Sequence, residues 1–344
     1  MKKNLTLLLL FAASARLFAQ DIHFTQFFAA PMTINPALTG AFEGKYRVAS
    51  IYRDQWRRVL DFPATTFAVA ADLRFDARKK QVKEDAIGLG LLFTNDKTGI
   101  IDFNTTQIGL SLAYHKSLNT NNTQFLTLGI QGTLNQRNVN FERLSFFDQF
   151  DGQTGFVLPT GEEIPVNNFS YSDYNVGLNY SAEIGRDGRL FAGAALHHFL
   201  RPIVSFNETT NDGDRLNMKA SGHIAAHIPL RKDNRVAFLP RVMVAAQGNH
   251  LQVNAGANFR TAMGKYGGSA LHLGGWARPV RNSDGFGLDA IVAMAGLEIN
   301  NVLFGLSYDL NLKALGANQR QGAFELSIAY LGNYDSEDII CPKF

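Results

Sequence analysis

The feature that most constrains this chain is an alternation of apolar with polar or small side chains at every second residue, renewed segment after segment from about residue 45 onward. In VLFGLSYDLNL, Val302, Phe304, Leu306, Tyr308, Leu310 and Leu312 share one face, opposite Gly305, Ser307, Asp309 and Asn311. In TQIGLSLAYH, Ile108, Leu110, Leu112 and Tyr114 oppose Gln107, Gly109, Ser111 and His115. YNVGLNYSAEI (Tyr174, Val176, Leu178, Tyr180, Ile184) and AFELSIAY (Phe324, Leu326, Ile328, Tyr330) repeat the pattern. Successive side chains alternate faces only in a strand, so each segment reads as a two-faced β-strand. No run of eighteen apolar residues occurs, which excludes spanning helices.

Alternation alone also fits a soluble sandwich. Two features favour a membrane barrel. The segments often reach ten residues or more, beyond the five or six of ordinary soluble strands. Tyr114, Tyr174, Tyr308 and Tyr330 mark segment ends, where a barrel places its interfacial girdles. The expected fold is therefore an all-β, transmembrane antiparallel barrel of about fourteen strands, as in the outer membrane. The strands start near Tyr46, Thr65, Ala86, Thr105, Gln124, Tyr171, Arg189, Met218, Val236, Leu251, Ala270, Gly285, Val302 and Ala323. An even count puts both termini on the periplasmic side, with the long connections 138–170 and 201–217 outside. Inward glycines (Gly109, Gly129, Gly177, Gly305) leave room in the lumen or permit bends. Inward charges (Asp72, Arg74, Glu183, Arg241, Asp289, Asp309, Glu325) are placed to pair across it.

The ends divide off from this barrel. Lys2 and Lys3, the apolar run Leu5 to Phe11 and the cleavage site Leu17-Phe18-Ala19 read as a secretory signal peptide over 1–19, with Gln20 the first mature residue. Residues 20–44 read as a structured N-terminal segment, 45–331 as the barrel and 332–344 as a C-terminal tail ending CPKF. Within QDIHFTQFFAAPMTINPALTG, Phe24, Gln26, Phe27, Pro31, Asn35, Pro36 and Gly40 combine aromatic anchors with turn residues. Packing in the periplasmic mouth, or plugging it, is the expected role; covering the first strand's approach, binding a periplasmic partner and serving as a plain leader are the alternatives. Pro31 and Pro36 argue against an added strand.

Little points to catalysis, and no catalytic residue, cofactor or metal site is expected. His223 and His227 lie four apart, about 13 Å along a strand, too far for one metal. His197 and His198 are expected on opposite faces of one strand. A lipase-like pairing of Ser221 with either, facing lipid, is the single enzymatic constellation in view. No G-x-S-x-G elbow, H-E-x-x-H or P-loop occurs. The net charge of +3 gives no reason to expect a nucleic-acid partner. Cys341 is the one cysteine, so no intrachain disulfide forms.

Several stretches, in order, resemble the PorP/SprF family, membrane proteins of the Bacteroidota type IX secretion system. They are the opening QDIHFTQFFAAPMTINPALTG, YRDQW at 52–56, NDKTG at 95–99, SLAYH at 111–115, HHFLRPIVSF at 197–206, SYDLNL at 307–312, GAFELSIAY at 322–330 and CPKF at 341–344. Thr25 stands where the family usually has serine, and Lys343 where arginine is common. The resemblance implies a non-enzymatic outer-membrane barrel serving protein secretion and, in some members, gliding motility. Its implied partners are outer-membrane lipid, the periplasmic ring lipoprotein with its own partner, and a secreted adhesin carrying a C-terminal sorting domain. On that reading, partner contacts are expected at Phe24, Gln26, Phe27, Asn35, Pro36, Tyr52, Arg53, Gln55, Trp56, Cys341 and Phe344. The alternative is a passive or substrate-specific porin.

Overall fold

A computed structural model describes residues 21–42, 44–57, 62–76, 84–99, 101–207, 212–231, 233, 235–263, 268–282, 285–312 and 322–332. Cys341 and Phe344, and with them the CPKF tail, lie outside the described residues, as does the signal peptide. Fourteen strands run in order: β1 (Tyr46–Gln55), β2 (Ala64–Asp76), β3 (Ala86–Thr98), β4 (Phe103–Ser117), β5 (Gln124–Asn138), β6 (Asn168–Ile184), β7 (Gly188–His197), β8 (Lys219–Pro229), β9 (Val236–Gln247), β10 (His250–Met263), β11 (Ser269–Asn282), β12 (Gly285–Ile299), β13 (Val302–Asn311) and β14 (Gly322–Gly332). Every expected start falls within three residues of an observed one.

Each strand pairs antiparallel with its neighbours in sequence, and β14 returns to β1 to close the barrel. The closing seam is continuous from Tyr46 opposite Gly332 to Gln55 opposite Ala323. Closure removes both sheet edges, which in hydrocarbon would expose unpaired backbone groups at several kcal/mol each. Among the described residues a register shift interrupts the sheet between Arg278 and Pro279, where proline has no N–H to give the ladder.

The two faces divide as alternation requires. Outward residues such as Leu91, Ile108, Leu110, Leu128, Ile130, Leu178, Ile224, Leu273 and Leu306 form an exposed apolar belt too large for a water-facing surface. Outward aromatic pairs mark both ends of it, Tyr46 with Tyr330 (ring centroids 5.8 Å apart) and Tyr174 with Phe199 (6.3 Å). The hydrophobic core sits inside the barrel, where Phe24, Phe27, Phe28, Ile34 and Leu38 meet Ile51, Phe191, Met243, Trp276 and Met294.

The ends of the barrel differ. At the turn end, where β1 begins and β14 finishes, the connections are 77–85, 118–123, 185–187, 230–235, 264–268 and 300–301. At the opposite, loop end lie the long connections 139–167 and 198–218. Asp21 sits at the loop end, where its backbone N–H faces Gln247 at the end of β9 and its carboxylate meets Lys219 at the start of β8. The N-terminal segment is not confined to one mouth but traverses the lumen to reach Tyr46.

Candidate functional site

Local chemistry explains why residues 21–41 form neither strand nor helix. Three single-turn 3-10 elements follow one another, at Phe27–Ala29, Pro31–Thr33 and Pro36–Leu38. Each proline opens its turn, where a missing N–H is harmless and its fixed φ suits the bend. Asn35 caps the third, its side-chain oxygen accepting from the Ala37 N–H at 2.8 Å. Gly40, at φ 71°, turns the chain toward β1.

Near the loop end the wall reads this segment by polar contacts. The two carboxylate oxygens of Glu325 accept the successive backbone N–H groups of Thr25 (2.7 Å) and Gln26 (2.8 Å). The Thr25 hydroxyl lies 3.0 Å from both Asp309 oxygens. Arg53 bonds Glu325 and Asp309, and Arg278 bonds Asp309 (2.7 Å), Asp289 (2.9 Å) and the Thr25 hydroxyl (2.9 Å). The Gln26 amide donates to Ser307 (3.0 Å) and accepts from Ser327 (2.8 Å). Two arginines and two acids with almost no solvent access would be costly if any one were left alone. The cluster therefore fixes where Thr25 and Gln26 sit.

Deeper in, Phe28 stacks on Trp276 at 5.8 Å, with the Arg241 guanidinium 4.3 Å from its centroid. Asn35 donates to the Leu178 carbonyl at 2.9 Å and the Ala194 carbonyl at 3.3 Å. The inward glycines mark closest approach. A Cβ on Gly129 would lie 2.3 Å from the Ala37 nitrogen, one on Gly177 1.9 Å from the Asn35 oxygen, and one on Gly305 2.4 Å from the Gln26 oxygen. Gly109 does not touch the segment; its nearest neighbours are side chains of the wall itself. At the turn end Asp72 accepts from the Gly40 N–H (2.7 Å) and from Arg47, which also donates to the Leu38 carbonyl (3.1 Å). Arg74 donates to the Gly40 carbonyl at 2.9 Å.

A second ionic cluster holds the segment's first described residue. His198 lies between Asp21 (2.7 Å) and Asp173 (2.6 Å), and Lys219 reaches Asp21 at 3.2 Å. Burial alone would push the His198 imidazole down, but the Asp21 and Asp173 carboxylates outweigh it and raise its pKa to about 9. Burial works against ionised Asp21 in the same way, and Lys219 with His198 holds it well below the usual carboxylate range. His198 has φ 57°, which breaks the alternation beyond β7. Both His197 and His198 are consequently buried, with ring centroids 6.3 Å apart, correcting the expectation of opposite faces. Ser221 does meet His197 at 3.2 Å, but both bond the Ile34 carbonyl inside the lumen, so the pair does not face lipid.

The expected partner-contact residues divide accordingly. Phe24, Gln26, Phe27, Asn35 and Pro36 are buried in the lumen, and Arg53 donates to the Thr25 hydroxyl at 3.1 Å within the Thr25–Glu325 cluster. Gln55 also faces inward, 3.4 Å from Arg53. Tyr52 is on the outer face, its hydroxyl 3.4 Å from Asp54, and Trp56 turns at φ 66° at the loop end. Thr25, Arg278 and the His198–Asp21–Asp173 cluster escaped sequence reasoning. Arg278 follows Gly274-Gly275 and precedes Pro279, where no alternation assigns a face.

A closed barrel with an apolar belt defines the class, an outer-membrane β-barrel, here with its own N-terminal segment packed in the lumen. Residues 17–330 match the family described as Type IX secretion system membrane protein PorP/SprF. The chain belongs to that family. No curated protein matches it. Among solved structures, the TodX monoaromatic hydrocarbon channel in a deltaS2 mutant is 12% identical, with 89% of this chain and 94% of that one covered and a TM-score of 0.50. A FadL homologue of Pseudomonas aeruginosa is 10% identical, with 86% and 92% covered and a TM-score of 0.50. Identities this low speak for the fold alone.

Proposed function

We propose that the protein is a non-enzymatic outer-membrane component of type IX secretion that delivers a surface protein or gliding adhesin. It does so by binding the cargo's C-terminal sorting domain, or the periplasmic ring lipoprotein and its partner. The observation that carries this reading is the filled lumen. Residues 21–41 occupy it from loop end to turn end, so the barrel offers its rims to partners rather than a conduit to solutes. With the long connections outside, as is usual for such barrels, 139–167 and 198–218 face the exterior and the turn end faces the periplasm.

The test is a native pull-down of the full-length protein from detergent-solubilised outer membranes, read by mass spectrometry, alongside conductance in planar bilayers. The proposal expects recovery of a ring lipoprotein or one large adhesin, and conductance far below that of an open channel. A barrel without partners that conducts steadily would overturn it in favour of a porin.

A further inference from the structure

Between the lumenal segment and the wall of β3 to β6 lies a polar cleft near the loop end, lined in part by Asp96, Thr105, Gln107, Asn135, Arg137 and Tyr171. Register explains its regularity. Thr94 is opposite Gln107, Gln107 opposite Asn135, and Asn135 opposite Tyr171, so four inward side chains stand in one row across four strands. Asp96, Thr105 and Arg137 make the next row toward the loop end. At about 4.8 Å between strands, the row is roughly 14 Å long, the length of about two to three linked pyranose rings. Thr105 and Gln107 are half-buried and Asn135 is buried, so the floor lies deep and the upper row is within reach.

The wall's own hydrogen bonds use only part of this surface. Thr66 donates to one Asp96 oxygen (2.6 Å), Thr94 approaches the Gln107 carbonyl oxygen (3.4 Å), and the Asn135 amide donates to Thr133 (2.9 Å). The second Asp96 oxygen, the Thr105 hydroxyl, the Gln107 amide nitrogen and the Asn135 carbonyl oxygen have no partner among the described residues. They form a contiguous set of donors and acceptors, in which amide and hydroxyl groups supply both roles.

Of the charges nearby, Lys219 and His198 face Asp21. Arg137 lies 5.9 Å from the Phe103 ring centroid and 5.5 Å from that of Tyr171, and its buried Nε, unpartnered among the described residues, adds one more donor to the cleft. The one carboxylate oxygen left over, on Asp96, disfavours an anion and accepts readily from a hydroxyl. Ile22, Leu92 and Phe103 add apolar edges to the cleft. The geometry points to a neutral saccharide as the ligand of this cleft. Its hydroxyls match the mixed donor and acceptor row, and its C–H faces match the apolar edges. This inference is independent of the secretion reading.

The test titrates the folded full-length protein in lauryldimethylamine oxide, which carries no sugar headgroup, with glucose, galactose, mannose and their disaccharides. Acetate and choline serve as charged controls. Calorimetry and saturation-transfer NMR report binding. Saturable binding of at least one neutral sugar is expected, with Kd on the order of 1 mM or tighter. Gln107→Ala and Asn135→Ala should each weaken it about three- to tenfold, the worth of one hydrogen bond. Thr105→Val, which keeps side-chain volume, should do the same and guards against a folding defect in the other two. Binding of free monosaccharides identifies a soluble sugar, and binding of disaccharides alone identifies a glycan chain; either supports the site. No saturable binding by any sugar, binding untouched by all three variants, or tighter binding of acetate or choline would overturn it.

Discussion

Two glycines three residues apart on β5 make the strongest test of how the lumen is filled. A Cβ on Gly129 would lie 2.3 Å from the Ala37 nitrogen and 2.4 Å from the Pro36 carbonyl carbon, both backbone atoms. A Cβ on Gly132 would meet only the Tyr174 ring, at 3.7 Å. In Gly129→Ala the third turn must therefore retreat by roughly 1 Å to restore carbon contact distances. That retreat strains the Asn35 bonds to the Leu178 carbonyl, the Ala194 carbonyl and the Ala37 N–H. At about 1 kcal/mol net per hydrogen bond, plus about 1–3 kcal/mol for overpacking, docking of the segment weakens by roughly 4–6 kcal/mol. Hydrogen exchange at Leu38, Thr39 and Ala41, whose N–H groups bond within the segment, reads this directly. Gly129→Ala should accelerate it by about a hundredfold or more, and Gly132→Ala should leave it unchanged. Equal protection in the two variants would refute the close packing of segment against wall.

The remaining expectations address the two ionic clusters and the direction of the segment. His198 is raised from 6.5 to about 9, so its contribution to anchoring Asp21 is fully present below pH 6.5 and is lost as pH rises through 9. Carbon-13 NMR of labelled histidine should place its titration near pH 9, and a neutral His198 at pH 7 would sink the assignment. Arg53→Met strands Glu325 and Asp309 beside Arg278 alone and should cost about 3–5 kcal/mol in urea unfolding from lipid vesicles. A loss below about 1 kcal/mol would mean that the pair is no more than a surface-like contact. A short epitope inserted between Gln20 and Asp21 should be reached by antibody on intact cells if the loop end faces outward. Detection only after permeabilisation would reverse that orientation.

The barrel was legible because each strand is two-faced. Val302 to Leu312 and Thr106 to His115 alternate without interruption, and closure follows once all the strands share that habit. Asp309 and Glu325 could be placed inside from the same alternation. The lumenal site was less legible, for local reasons. His198 leaves the extended region at φ 57°, so counting in twos past His197 gives the wrong face. Gly129, Gly177 and Gly305 announced free space without naming what fills it. The path of residues 21–41 depends on partners as remote in sequence as Gln26 with Ser327, which no local pattern encodes.

That path also orders events during assembly. The turn-end anchor, Gly40 and Leu38 with Arg47 and Asp72, needs only the first hairpin and forms from contacts close in sequence. The anchor for Thr25 and Gln26 needs Asp309 and Glu325, on the last two strands of the barrel. A segment running the whole length of a closed tube cannot easily be slid in afterwards, past the Asn35 and Phe28 contacts that grip it. Closing the β1–β14 seam and seating the segment are then coupled, because the last two strands supply both. A catalyst of barrel insertion acting on this chain has to hold the seam open until residues 21–41 lie within it.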